Sequence, residues 1–375
     1  MSLRHERRLM IDALSRPGEI VAWPAADLDL VLRVLRRARL LGRLAEGLAE
    51  RGLLDALPLP ARDALASARI AAQARARVAA WELDRIACAL EGLADLQVVA
   101  MKGCAYLLAG LPHARGRMFA DVDLLVPEAR LREVEECLLA QGWQAAALSP
   151  YDERYYREWT HELPPLTHAE REVEVDLHHN VQMRTSRLRP DAARLLAAAR
   201  PAAITENPGA GFRSFRLSRF AVLAPIDMTL HAMTHLLYGG EMDDALRELV
   251  DIDALLRHHA GHEPDFWAKF WPRAEQLDLA RPAFYGLRYA NRLLGTAVPD
   301  AVLAASRAGA PNAAVVAAMD RLVPEALFPP HPGQRRRWTT LARLLLYVRA
   351  HWVRMPPWML VRHLAYKAYV RREHE

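Results

Sequence analysis

The sequence predicts an α+β fold, a small mixed β-sheet with helices against it, embedded in a predominantly helical chain. Three observations carry that expectation. Ala120 to Val126 reads Ala-Asp-Val-Asp-Leu-Leu-Val, a run built for a buried strand. Arg171 to His178 alternates strictly between charged and apolar residues, the period of a half-buried strand. On either side of this stretch apolar residues recur at helical spacing.

In chain order, residues 1–94 form an N-terminal helical region, with apolar spacing through Leu28 to Leu53 and Leu65 to Leu93 around the break Leu57-Pro-Leu-Pro-Ala61. Residues 95–185 form the sheet-bearing core. There Leu96 to Met101 reads as a short buried strand, and Lys102-Gly103 breaks it before a small helix from about Cys104 to Gly110. The Asp121 strand follows, then an amphipathic helix from Ala129 to Gln141 stopped by Gly142, a strand at Trp143 and the Arg171 strand. Residues 186–333 return to a helical pattern, in which Pro225 opens a helix to Tyr238 that Gly239-Gly240 closes. Residues 334–375 form a basic, aromatic-rich helical tail that Pro356-Pro357 divides.

The chemistry concentrates in the core. Side chains alternate along a strand, so Asp121 and Asp123 share one face while Val122 and Leu124 take the other. Two carboxylates held side by side repel, and protonation, a basic neighbour or a bound divalent cation makes that tolerable. The cation is the reading pursued. Glu172, Glu174, Asp176 and His178 share one face of the later strand, so Asp176 supplies a third carboxylate if the two strands pair. Upstream, a strand, a glycine turn and a helix start at Lys102-Gly103 suit an anion, because free N–H groups point at it and glycine admits close approach. Lys102, Arg115 and Arg117 add positive charge nearby.

Val98-Val-Ala-Met-Lys-Gly103, Arg117-Met-Phe-Ala-Asp-Val-Asp-Leu-Leu-Val126 and Val175-Asp-Leu-His178 together resemble an uncharacterised bacterial branch of the nucleotidyltransferase superfamily with the DNA polymerase β-like fold. The resemblance covers residues 95 to 180 best. It implies a nucleotidyltransferase core in which Gly103 holds a triphosphate and Asp121, Asp123 and Asp176 are catalytic and bind two Mg²⁺ ions, with Mn²⁺ as the alternative. The implied donor is an NTP, ATP foremost. In such chemistry one metal activates the attacking oxygen and the other stabilises the leaving pyrophosphate. Lys102 and Arg117 would neutralise the triphosphate, Arg as a two-pronged donor and Lys as a point charge. The turn Lys102-Gly103-Cys104 departs from the usual Gly-Ser or Gly-Gly, and the gap to the first aspartate is longer.

Other phosphate chemistries fit less well. No Walker Gly-x-x-x-x-Gly-Lys-Ser/Thr loop occurs, nor a kinase His-Arg-Asp or Asp-Phe-Gly triplet. A metal-dependent glycosyltransferase using a sugar nucleotide is the alternative enzyme, since it too holds a diphosphate through Asp-x-Asp. A catalytically inactive nucleotide- or RNA-binding module is the non-enzyme alternative. His231 and His235 lie one helical turn apart and are expected to line the nucleotide or acceptor cleft. The zinc-protease glutamate is missing between them. His178 is expected as a contact behind the carboxylates or to the bound substrate, and Asp251 as an ion-pair partner of Arg247 four residues earlier. The acceptor, whether sugar phosphate, small molecule, tRNA or protein, is not written in these motifs.

Three cysteines at Cys88, Cys104 and Cys137 show no redox or metal spacing, and the first residues lack a signal-peptide core, so the expected location is the cytoplasm. Cys104 reads as a small buried filler. Charge is uneven: residues 334–375 carry ten Lys or Arg against two Glu, about +8, and the rest of the chain is about −3. Trp338, Tyr347, Trp352, Trp358, Tyr366 and Tyr369 interleave with these cations. Such a mixture suits an anionic membrane surface or RNA, and equally suits aromatic rings and arginine stems covering a helical core.

Overall fold

The computed structural model describes residues 3–93, 95–171, 173–203, 215–240, 242–329 and 337–373. Glu172, expected on the charged face of its strand, lies outside them. The structure is 67% helical, so the sheet is an insert in a helical chain.

Seven strands form that sheet: β1 (Val98–Ala100), β2 (Asp121–Leu125), β3 (Trp143–Ala145), β4 (Leu166–His168), β5 (Glu174–His178), β6 (Arg200–Pro201) and β7 (Phe220–Val222). Their spatial order is β3-β4-β5-β2-β1-β7-β6. β5 runs parallel to β2, while β1 runs antiparallel to β2 on its other side. Val122 and Leu124 are fully buried, as are Val175 and Leu177 on β5. Burial of this apolar face fixes the register, because a slip of one residue would carry the aspartates into the core.

The sheet does not end near residue 185 as the sequence suggests. β7 pairs in parallel with β1, and β6 closes that edge. Phe220-Ala-Val222 is too short to display a period, and Arg200-Pro201 takes an edge position, where a proline costs no ladder bond. Elsewhere the local signals hold. Gly142 adopts φ +97° after the helix Leu131–Ala140, and a Cβ there would stand 2.9 Å from His168 Nε2.

Helices Ala25–Arg37, Leu41–Ala49 and Leu59–Ala89 precede the sheet, and Pro225–Tyr238, Ala245–His262 and Ala280–Leu294 follow it. One continuous apolar cluster runs from Leu9 through the sheet to Leu346, so the flanking helices and the sheet share a core. Pro225–Tyr238 is buried along most of its length. The tail helix Arg337–Arg354 packs on it, with Leu346 and Ala350 beside Leu236 and Leu237. Arg349 donates to the Leu237 carbonyl at 2.7 Å and Arg354 to that of Gly239 at 2.6 Å. The last helix, Pro357–Glu373, sits on a small cluster of Met183, Met355, Met359 and Leu360. Among the described residues no single helix is long and apolar enough to cross a membrane.

Candidate active site

Parallel pairing of β2 with β5 sets Asp123 directly opposite Asp176 and Asp121 opposite Glu174. Asp123 is buried, and its Oδ1 accepts from Lys102 Nζ at 2.7 Å and lies 3.1 Å from His178 Nε2. A basic neighbour therefore answers the repulsion at Asp123. Burial opposes a charged Asp123, but Lys102 and His178 outweigh it and hold the carboxyl below its usual range. Burial likewise works against the Lys102 ammonium, and the charges of Asp123 and Asp121 more than reverse that.

Asp176 responds the other way. Burial, then the nearby charges of Asp123 and Glu162, push its carboxyl up to about 9. Of two facing aspartates one is ionised and the other carries a proton, as the shared site requires. Ligand atoms of Asp123, Asp176 and His178 all lie within 4.8 Å of one another, as do those of His161, Glu162 and His178. An oxygen-rich set with one imidazole suits Mg²⁺ or Mn²⁺.

Lys102 itself is in the left-handed region at φ +46°, a conformation costly for a residue with a Cβ. The sequence suggests that the glycine beside it serves close approach of a ligand. The structure assigns Gly103 a different purpose. A Cβ there would overlap Nη1 of Arg117, whose guanidinium fills the space. Arg117 is buried, with Nε donating to Asp251 Oδ2 at 3.1 Å and its guanidinium near the rings of Tyr106 and Phe119. This corrects the pairing expected for Asp251. Arg247 turns to Asp244 at 2.8 Å, and Asp251 is shared by Arg117 and Arg43. Burial disfavours the Asp251 charge, and Arg117 and its neighbours more than offset this, leaving the carboxyl below its usual range.

A cavity of about 290 Å³ opens beside these groups, lined by Lys102, Arg117 and Asp121 on one wall and by His235, Arg247, Glu248 and Asp251 on the other. His235 Nδ1 lies 3.0 Å from Glu248 Oε1. His231 is buried behind it, and burial, then the proximity of His235 and Lys102, holds its imidazole well below the usual range. Arg115 is not brought to this cavity. It is exposed, pairs with Glu50 at 3.2 Å and lines a separate depression with Arg43 and His113. Cys104 is buried with Sγ 3.7 Å from the Asp121 carbonyl, a packing position.

Sequence reasoning missed His161 and Glu162. Glu162 bridges antiparallel to His178, and its carboxylate lies 3.3 Å from His178 Nδ1. Both sit on an irregular segment with no period to mark them, so only the sheet reveals their position.

A sheet that sets Asp123 opposite Asp176, with Asp121 of the same strand lining a polar cavity, is an arrangement for charged, metal-binding ligands. The chain belongs to the family described as Uncharacterised nucleotidyltransferase, whose model matches residues 24–295. Nucleotidyl transfer is the general function that this membership supports. No curated protein and no solved structure matches the chain.

Proposed function

We propose that the chain is a Mg²⁺-dependent nucleotidyltransferase that moves a nucleoside monophosphate from an NTP to a hydroxyl or phosphate of an acceptor. The observation that carries this reading is the pair Asp123 and Asp176, face to face on parallel strands, with Asp121 on the same strand face at the cavity wall. Asp121, Asp123 and Asp176 would hold the cation. Bound there, it supplies charge neutralisation and Lewis acidity toward phosphate oxygens. With Asp123 engaged by a cation, Lys102 would be free to turn its ammonium from that carboxylate to the phosphates. Arg117, held at Nε by Asp251, offers a fixed guanidinium on the same wall. His235, paired with Glu248, lines the same cavity and would contact the donor or the acceptor.

A second reading draws on the same ion pair. Lys102 on Asp123 and a proton on Asp176 already balance the site, which suits a module that binds nucleotide without turnover. One experiment separates the readings: thermal shift with ATP, GTP, CTP, UTP and two sugar nucleotides, with and without Mg²⁺, on wild type and Asp121→Asn, followed by incubation with α-labelled NTP. A Mg²⁺-dependent shift with an NTP, lost in the variant, and transfer of label support the enzyme. A shift without transfer to any acceptor class favours the binding module, and a shift with sugar nucleotides alone favours glycosyl transfer.

A further inference from the structure

The tail divides its residues between two tasks. Arg343, Arg349 and Arg354 turn inward, to Asp243 and to the carbonyls of Leu237 and Gly239. They fasten the helix Arg337–Arg354 to the body, and the interleaved arginines are to that extent structural. The opposite face of this helix is apolar. Trp338, Leu341, Leu344, Leu345 and Trp352 are 42–54% exposed, and at 100° per residue they fall within one arc of the helix. Trp358 and Val361 on the next helix are more exposed still, at 64% and 68%. Among the described residues, seven of the thirteen exposed large apolar side chains thus lie between residues 338 and 361, too many for scattered surface hydrophobics.

Charge chooses the occupant. Arg337 and Arg362 are exposed beside these apolar side chains, and no acidic residue occurs between Gln334 and Arg372, so the outward face is positively charged. Isologous pairing with a second copy would set this charge against itself. Single-stranded RNA would use rings spaced among free cations, whereas the three leucines here have no stacking role. An anionic bilayer surface takes both components: leucine and tryptophan side chains enter the headgroup and acyl boundary, and arginines meet the lipid phosphates. We propose that the outward face of residues 337–362 docks the protein on an anionic phospholipid surface, as a peripheral contact. The inward arginines hold this helix to Gly239 and Asp243, two residues that also line the 290 Å³ cavity.

The test is co-sedimentation of the full chain with vesicles of equal parts phosphatidylglycerol and phosphatidylcholine, with phosphatidylcholine vesicles and with a single-stranded RNA oligomer as comparisons. Expected are binding to the anionic vesicles that weakens with salt, little binding to phosphatidylcholine alone, and a loss on the order of a hundredfold in the Leu341→Ser/Leu345→Ser/Trp358→Ser variant. These side chains are exposed, so the variant should melt as wild type does, and Arg337→Glu/Arg362→Glu probes the charge separately. Equal binding by the serine variant, no binding to anionic vesicles, or binding to RNA in place of vesicles would overturn the proposal. So would a monomer–dimer equilibrium abolished by the same substitutions without any vesicle binding.

Discussion

Lys102 Nζ and His178 Nε2 converge on one oxygen, Oδ1 of Asp123, from opposite sides of the β2 strand's neighbours. Lys102 comes from the turn after β1, and His178 from the end of β5. The buried carboxylate is thus balanced by Lys102, whose place a bound cation would take, while His178 belongs to the set that would hold the cation.

Lys102→Met should expose the cost of that carboxylate. Breaking a fully buried pair costs roughly 3–5 kcal/mol, and here Lys102 keeps about a fifth of its side chain exposed while His178 remains, so a loss of about 2 kcal/mol is expected by urea denaturation. Added Mg²⁺ should raise the melting temperature of the variant more than that of wild type. An equal response to Mg²⁺ in both proteins would mean that the cation does not substitute for the ammonium.

Asp176 makes a pH prediction of unusual sign. Burial and the charges of Asp123 and Glu162 push its folded carboxyl up to about 9, against about 3.9 when unfolded. The unfolded state therefore loses its proton first, and Asp176 costs stability progressively as pH rises from about 4 toward 9. Asp176→Asn, which cannot ionise, should be more stable than wild type at pH 8 and nearly equal at pH 4. The same variant should lose Mg²⁺-dependent NTP binding. Denaturant midpoints at the two pH values check the first point, and a variant less stable at pH 8 would contradict it.

Asp251→Asn should have the opposite effect. This carboxyl is depressed by its arginines, so it contributes stability above its unfolded value, and that contribution is lost as pH falls through the folded one. At pH 7 removing the charge should cost about 3–5 kcal/mol, because Arg117 is left buried without its partner. The gap between variant and wild type should narrow in acid. A difference unchanged down to pH 3 would show that packing, not charge, is responsible.

Gly103→Ala tests the filling of the turn by Arg117. A methyl group there overlaps the guanidinium, and overpacking of this kind costs roughly 1–3 kcal/mol. The displaced Arg117 should also weaken NTP binding several-fold. Unaltered stability and binding would mean that the guanidinium moves freely.

What could be read from the residues was local. Alternation placed Asp121 with Asp123 and Asp176 with His178, Gly142 and Pro225 marked their helix boundaries, and the Lys102 turn followed from the end of a short apolar run. What could not be read depended on pairing across the chain. Arg117 and Asp251 are 134 positions apart, and the nearer Arg247 offered a local partner that the fold does not use. Likewise β6 and β7 have too few residues to carry a period; β7 becomes a strand because β1 offers a free edge, and β6 because β7 then offers another. Glu162 enters the site through a single bridge to His178.

The arginine contacts of the tail bear on where this protein can be cut. The last carbonyls of a helix have no partner within it, and Arg349 and Arg354 serve those of Leu237 and Gly239 from more than a hundred residues away. A chain trimmed to the family-matched span 24–295 would retain every residue proposed for the site. It would nevertheless leave the end of the Pro225–Tyr238 helix uncapped and uncover the side of that helix where Leu346 and Ala350 pack. The stretch that inheritance marks as one family is, in this molecule, shorter than the stretch that must fold together.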